Sequence, residues 1–265
     1  MSVIIPTHNR AGLLREALAS VHAQEPGQYH LHEVIVVADN CTDDTDETIA
    51  QFSDTIRVQA SCGTAGLARN EGVRVASGEW LAFVDDDDVF LPGKLATLFR
   101  HVSRVPGADF LYSDAFLSPE AGVSSVCWGV PSPDLQGLVF SLPAPSTWLV
   151  RRDVFQDLGL FDGRVPRVED RDFVLRAALS GSVTFLPVQE PLVSYRVRPL
   201  PVATILGTWR DTRGVLARYG KSLRRELGTR RWAMARFRLD GWYASEVIRA
   251  SRCWLPADIC NVVAG

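Results

Sequence analysis

The stretch Gly78-Glu79-Trp80-Leu81-Ala82-Phe83-Val84-Asp85-Asp86-Asp87-Asp88 decides the fold. Its apolar run, Trp80–Val84, shows no polar alternation and is too short for a helix, which predicts a strand buried on both faces. Such strands belong to parallel sheets covered by helices, and ligands bind there beyond the carboxyl ends of the strands. Four consecutive carboxylates at that end repel one another, and capping a helix requires only one. A hard divalent cation, Mg2+ or Mn2+, relieves the repulsion through oxygen ligands and is shared with substrate phosphates. Read as an extended loop, the run puts residues i and i+2 on one side, so either Asp85 and Asp87 or Asp86 and Asp88 face one ion.

Outward from this stretch the same period recurs. Val3–Ile5 is a short apolar run followed by a helical pattern in Leu13, Leu14, Leu18 and Val21. Val34–Ala38 is a β-branched run, with a second helix expected over Thr42 to Phe52. Ile56–Gln59 is a weaker strand, and Gly66 to Ala76 reads as a third helix. Downstream, Pro92 suits the first turn of a helix carrying Leu95, Leu98, Phe99 and Val102. Apolar runs alternating with amphipathic helices predict a mostly parallel, doubly wound α/β sheet. Residues 106–150 are rich in Pro, Gly and Ser, with short runs at Phe110–Tyr112 and Trp148–Val150, as expected of mixed strands and loops around a cleft. A helix over Asp170–Leu179 and strands over Thr184–Val188 and Leu192–Val197 follow. The organisation expected is a first half, 1–105, and a second half, 106–198, of one domain, then a basic helical extension, 199–265.

Composition narrows the function classes. With 265 residues, 46% hydrophobic and 22% charged, the chain buries too much apolar surface to be disordered. Its net charge of −3 argues against nucleic acid as a partner, but the charge is unevenly spread. From Leu200 onward there are 12 basic and 5 acidic residues, against 16 and 26 before it. That basic segment carries one apolar stripe in Trp209, Leu216, Tyr219, Leu223 and Leu227, and another in Trp232, Ala235, Leu239, Tyr243, Val247, Ala250 and Trp254. Two packed helices are expected. Peripheral attachment to an anionic membrane, through Trp209, Trp232, Trp242 and Trp254, is the alternative. Cys41, Cys62, Cys127, Cys253 and Cys260 show no CxxC pair, and the chain opens on a strand without a basic and apolar leader, so a reduced, cytoplasmic protein is expected.

Polar residues directly after apolar runs are the candidate ligands: Pro6-Thr7-His8-Asn9-Arg10, Asp39-Asn40-Cys41-Thr42-Asp43 and Asp85–Asp88. Asn9, Thr42 and Asp43 are equally suited to capping helices. Arg69, on the third helix, is placed to reach a phosphate or a base. Gly63-Thr64-Ala65-Gly66 lacks the Gly-Lys-Ser/Thr ending of a P-loop and reads as a turn into that helix. Glu169-Asp170 opens a helix, where the dipole favours an acid. His8, His22, His30, His32 and His101 show no metal-ligand spacing.

Taken together, Val3-Ile-Ile-Pro-Thr-His-Asn-Arg10, Glu33-Val-Ile-Val-Val-Ala-Asp39-Asn-Cys-Thr-Asp43, Gly66-Leu-Ala-Arg-Asn70-Glu-Gly72, Gly78 to Asp88 and Glu169-Asp170-Arg-Asp172-Phe173 resemble the family-2 glycosyltransferases of the GT-A fold. Order and spacing match over about residues 1–198. The resemblance implies a Rossmann-like sheet flanked by helices, a mixed acceptor-side region and inverting transfer from a nucleotide-sugar, usually a uridine diphosphate sugar, to an acceptor hydroxyl. It implies that Pro6, Thr7, Asn9, Arg10, Asp39, Arg69, Asp85 and Asp86 bind the nucleotide-sugar. Asp87, with Asp85, would hold Mn2+ or Mg2+, and Asp170 would be the catalytic base. Carbohydrate, lipid-linked or small-molecule acceptors fit equally, with Trp128, Trp148, Phe161 and Asp162 expected to line their pocket. Three departures stand out: Asp fills all four positions where the family often has Asp-x-Asp-Asp, which leaves the register open, with counting back from Pro92 favouring Asp87; Arg198 replaces a histidine that many relatives carry; and Gly228 occupies the Gln position of the processive Gln-x-x-Arg-Trp motif, so non-processive transfer is expected. A sugar nucleotidyltransferase and a non-catalytic nucleotide-sugar-binding protein are the alternatives. The first lacks its glycine-rich N-terminal loop, and the second leaves two intact acidic sites without a purpose.

Overall fold

The computed structural model describes residues 1–119 and 126–252. In chain order these form β1 (Ser2–Thr7), α1 (Ala11–His22), β2 (Glu33–Asp39), α2 (Thr45–Ile49), β3 (Thr55–Ala60), α3 (Ala65–Val75), β4 (Trp80–Phe83), β5 (Val89–Phe90), α4 (Lys94–Arg104) and β6 (Phe110–Pro119). There follow β7 (Val126–Trp128), α5 (Leu135–Phe140), β8 (Trp148–Arg151), α6 (Arg152–Leu158), α7 (Glu169–Ser180) and β9 (Phe185–Val197). Among the described residues the strands make one sheet of order β3-β2-β1-β4-β8-β6-β9-β5, with β7 beside β6. β3, β2, β1 and β4 run parallel, β8 is antiparallel to β4 and β6, and β6 and β9 are parallel.

The apolar runs explain this layout. Every residue of β1, β2 and β4 is buried. Successive side chains alternate faces, so Val3 and Ile5 join Leu14, Leu18, Val36 and Ala82 in one core, while Ile4 joins Ile35, Phe83, Phe110 and Phe173 in the other. α3 lies close on β1 at Gly72, where a Cβ would come within 2.4 Å of the Ile4 side chain.

Several boundaries differ from the sequence expectation. The second helix shrinks to Thr45–Ile49 because the Asp43 carboxylate accepts from the Ala11 N–H (2.9 Å) and the Thr45 hydroxyl (2.5 Å), which holds the preceding residues in a turn. Its far end tightens into i→i−3 bonds from Gln51 to Thr48 and from Phe52 to Ile49. Pro92 falls before α4, whose N-cap is Gly93 at φ +76°. The two expected late strands are one, β9, which passes Pro187 and Pro191 through a register irregularity opposite Ser113–Ala115.

Two compact units divide the chain, Met1–Val197 and a second beginning at Arg198. The second holds α8 (Val202–Arg218), α9 (Gly220–Leu227) and α10 (Thr229–Arg252), so the first expected stripe is split between two helices at Tyr219–Gly220. Within this unit Leu216, Leu223, Trp232, Ala235, Leu239 and Tyr243 are buried, and the Trp209 indole donates to Asp240 at 2.8 Å. Trp232 is therefore engaged inside the unit, Trp209 is half-buried and Trp242 is exposed. No helix among the described residues is long and apolar enough to cross a membrane. Cys253, Trp254 and Cys260 lie outside the described residues.

Candidate active site

The carboxyl ends of β1, β2 and β4 and the loop after β3 surround one cavity of about 460 Å3. Pro6, Thr7, Arg10, Asp39, Asp85, Asp86 and Asp87 all line it, joined by His8, Thr64, Tyr195 and Arg196. This is the position that parallel strands reserve for ligands.

The floor is built from backbone amides as much as side chains. Asp39, at the end of β2, accepts from the Cys62 N–H at 2.6 Å through one oxygen and from the Gly63 N–H at 2.8 Å through the other. The first oxygen also accepts from the Asn40 side-chain amide at 3.2 Å, so the second keeps a lone pair for a ligand. Gly63 sits at φ +74°, and Thr64 caps α3 by accepting from the Leu67 N–H. The His8 imidazole bonds through Nδ1 to the Asp39 carbonyl at 2.6 Å; that oxygen only accepts, so Nδ1 is the donor.

The aspartate run is a turn, which corrects the extended reading. The Asp88 N–H donates to the Asp85 carbonyl at 3.0 Å, so Asp86 and Asp87 occupy the corner and the i, i+2 alternation does not apply. Asp85 points to the Arg69 guanidinium at 2.5 Å. Asp86 is buried, accepting from the Thr7 hydroxyl at 2.8 Å and from Arg10 at 2.9 Å. Asp87 is more open and takes a second Arg10 contact at 3.1 Å. Asp88 turns into the core, accepting from the Ser146 hydroxyl (2.5 Å) and the Arg196 N–H (2.9 Å), and burial holds it protonated well above the ordinary carboxylate range. The Ser146 hydroxyl oxygen also accepts from the Asp85 N–H at 3.0 Å, so Asp88 fixes the turn through Ser146.

Behind the turn, buried Arg69 donates to Asp85 and, at 3.0 Å, to Glu169. Burial opposes its charge, but Asp85 and Glu169 together outweigh that penalty and keep the guanidinium protonated. Burial, reinforced by the charge of Asp170, pushes Glu169 up to about 7, against the pull of Arg69. Burial also raises Asp170, whose carboxylate accepts from the Arg171 N–H at 2.7 Å. Gly66 makes room for this arrangement, since a Cβ there would lie 2.4 Å from the Glu169 Cγ. Gly66→Ala is expected to cost about 1–3 kcal/mol by overpacking, less up to about 1 kcal/mol of improved helix propensity, as urea denaturation would measure.

Asn9, Arg69 and Asp170 are not among the cavity-lining residues. Asn9, at φ +53°, accepts from the Thr42 N–H at 2.7 Å and so braces the loop after β2. Trp148 and Phe161 are buried against Phe83, Phe155 and Phe173 and present no stacking face, contrary to expectation. Asp162 is held by Arg164 at 2.9 Å, while Trp128 packs edge-on against Tyr195. Tyr195, Arg196 and Ser146 were not singled out as site residues from sequence; the Ser194-Tyr195-Arg196 segment was the available signal for the first two.

Among the described residues no three His, Cys, Asp or Glu converge as a metal cage. The donor set nevertheless fits a hard cation. Asp85 and Asp87 both line the cavity and keep part of their side-chain surface exposed there, 26% and 19%. Mg2+-type sites commonly use one or two carboxylates and leave the rest to substrate phosphates and water.

Comparison with known proteins agrees with this geometry. The family described as glycosyl transferase family 2 matches residues 2–159, more than half of the chain. An uncharacterised glycosyltransferase of Bacillus subtilis, YwdF, is 29% identical over 226 residues, covering 80% of this chain and 75% of its own length. The chain spans between 60% and 66% of three further bacterial relatives. Among solved structures, Staphylococcus aureus TarS in complex with UDP-GlcNAc is similar at a TM-score of 0.64 and 20% identity, over 84% of this chain and 72% of that one. The mannosyltransferase PcManGT from Pyrobaculum calidifontis, in complex with GDP-Man and Mn2+, is similar at 0.65 and 17%, over 99% of this chain and 78% of that one. Four parallel strand ends, an aspartate turn beside a cavity and an acidic helix start joined to it by Arg69 are thus the parts of a GT-A fold, and the chain belongs to glycosyl transferase family 2.

Proposed function

We propose that this glycosyltransferase moves a sugar from a UDP-sugar to an acceptor hydroxyl with inversion at the anomeric carbon, one sugar at a time. The observation that carries the reading is Arg69, which ties Asp85 at the donor cavity to Glu169 at the start of α7, beside Asp170. The chemistry of the two ends is thereby held in one register. In this reading Thr7, Arg10, Asp39, Asp85 and Asp86 bind the nucleotide, and Asp87, with Asp85, holds Mn2+ or Mg2+. When bound, the ion neutralises charge developing on the departing diphosphate. Asp170 takes the proton of the acceptor hydroxyl as its oxygen attacks the anomeric carbon. The bond to the diphosphate breaks on the opposite face and the nucleoside diphosphate leaves with the electron pair. One carboxylate on the acceptor side and no covalent intermediate give inversion. Carbohydrate, lipid-linked and small-molecule hydroxyls all fit as acceptors.

Support for a UDP donor comes from the TarS likeness, whose complex holds UDP-GlcNAc; the GDP-Man complex of PcManGT makes the guanosine donor the competitor to test. Thermal shift with a panel of UDP- and GDP-sugars in Mn2+ decides between them. A donor at about 100 times its dissociation constant stabilises the fold by about 2.7 kcal/mol. UDP-sugars alone are expected to shift the transition. A shift with GDP-sugars alone overturns the donor assignment, and pyrophosphate release from a nucleoside triphosphate and a sugar phosphate overturns the transferase chemistry.

A further inference from the structure

Behind the aspartate turn lies a lysine for which the proposed chemistry has no use. Lys94 is the first residue of α4, is fully buried and is not among the residues lining the cavity. Burying an amine is costly unless it is hydrogen-bonded, so its partners show what the site gains. The Lys94 Nζ lies 4.1 Å from the centre of the Phe90 ring and donates to the Ser146 carbonyl at 2.5 Å. Burial pushes the amine well below the ordinary lysine range, against the pull of Asp88. Ammonium and neutral amine both carry N–H donors, so the bond to Ser146 stands in either form. Ser146 sits in a single 3-10 turn, Pro145–Thr147, directly before β8. The bonds of that turn run from the Thr147 N–H to the Ala144 carbonyl and from the Trp148 N–H to the Pro145 carbonyl. Ser146 is held from outside its own segment. Lys94 takes its carbonyl, and its hydroxyl donates to Asp88 at 2.5 Å and accepts from the Asp85 N–H at 3.0 Å.

We propose that Lys94 is a positioning residue for the donor site: by fixing the Ser146 carbonyl it aims the Ser146 hydroxyl at both ends of the aspartate turn, and so sets where Asp85 and Asp87 stand. The inference rests on the reading of that turn as the cation site. The turn is closed by the bond from the Asp88 N–H to the Asp85 carbonyl, and Ser146 touches the same two residues. A tilt of the Ser146 backbone therefore moves Asp85 and Asp88 together and carries the corner between them. Carboxylates that share a small, geometrically demanding ion need such a support, because outer partners orient the ligands. An apolar side chain at 94 would fill the space beside Phe90 but leave a buried carbonyl without its donor, and the segment would shift towards another partner. Arg196 braces the turn from the other side, its N–H donating to the second Asp88 oxygen at 2.9 Å. Asp88 is thus fixed twice, whereas the Ser146 carbonyl answers to Lys94.

The test is calorimetric binding of UDP to the full chain, in Mn2+ and in excess chelator, well below the unfolding temperature. Lys94→Met keeps the length and the core packing and removes the donor. It is expected to weaken UDP binding in Mn2+ by about 10-fold, the lower end of the range for outer partners of metal ligands, and to leave binding in chelator unchanged. Ser146→Ala cuts the same path further along, so the double variant is expected to lose no more than Ser146→Ala alone. Phe90→Leu disturbs the packing around Nζ but keeps the donor, and is expected to lower the unfolding temperature without moving either constant. A Lys94→Met chain that is less stable but binds UDP in Mn2+ like wild type makes Lys94 structural only and overturns the proposal. Equal losses with and without Mn2+, additive losses in the double variant or an equal loss in Phe90→Leu overturn it as well. Should Lys94→Met not fold, Ser146→Ala carries the test, and unchanged Mn2+-dependent binding there breaks the path. Wild-type UDP binding that ignores Mn2+ overturns the cation reading itself, and with it the site that Lys94 would position.

Discussion

Asp170→Asn is expected to lower turnover by about 10²–10⁴-fold, the usual contribution of a positioned general base, or roughly 3–5 kcal/mol of barrier at about 1.36 kcal/mol per decade. The substitution keeps the shape and the helix start and removes the proton acceptor. Donor affinity should hardly change, because the base acts on the acceptor. The environment of the residue gives this prediction a pH signature. Burial raises the proton affinity of Asp170. A base works only when deprotonated, so wild-type turnover should fall as pH drops through a value above the ordinary carboxylate range, and the residual turnover of Asp170→Asn should lack that limb. Glu169 is the competitor, since burial and the charge of Asp170 push it up to about 7. Its carboxylate, however, is engaged by Arg69. Glu169→Gln should cost much less turnover. Turnover against pH for both variants, with donor dissociation constants, checks the assignment. A dead Glu169→Gln beside a near-normal Asp170→Asn makes Glu169 the base; two active variants remove both from the chemistry.

The parts of this fold legible in sequence are those with a strong period. β1, β2 and β4 are apolar on both faces because helices cover both, as the inner strands of an α/β sheet are. The aspartates were visible because they follow such a run at once. Their turn was not, since a single long-range fact, the Asp88 carboxylate spent on Ser146 and the Arg196 N–H, decides which of them faces the cavity. Arg69 shows the same limit. Sequence placed it on a helix near the site, but its partner Glu169 lies 100 residues away, and nothing local distinguishes a buried bridging arginine from a solvated one. Trp148 and Phe161 were misjudged for the opposite reason. Large aromatics in a Pro- and Gly-rich segment suggest a binding face, yet both complete the core beneath α7, stacking with each other at 6.2 Å. An aromatic residue type carries no information about which side of its segment meets solvent.

Asp87→Ala is expected to abolish measurable transfer and to weaken nucleoside diphosphate binding in Mn2+, bringing both close to the level of wild type in excess chelator. Asp87 lines the cavity with 19% of its side-chain surface exposed and takes an Arg10 contact there, whereas Asp86 and Asp88 are buried. Asp85 is committed to Arg69, Asp86 to Thr7 and Arg10, and Asp88 to Ser146 and the Arg196 amide. Alanine at 87 removes an oxygen donor together with its Arg10 contact, but the Asp85–Arg69, Asp86–Thr7 and Asp88–Ser146 bonds remain to shape the turn, and the fold should survive. The opposite holds for Asp88→Ala, which unties Ser146 from the turn and should lower stability along with activity. Removing a charge-stabilising group at a departing diphosphate costs several kcal/mol of barrier, enough to carry a slow transferase below detection. Chelator and mutation act on the same interaction, so their effects should not add: chelator should leave Asp87→Ala unchanged while reducing wild type to it. Calorimetric binding of UDP with and without Mn2+, for wild type and variant, gives the four values required. Full wild-type transfer in excess chelator removes the cation from the mechanism and leaves the diphosphate to Arg10 and Arg196, the arginines that line the cavity.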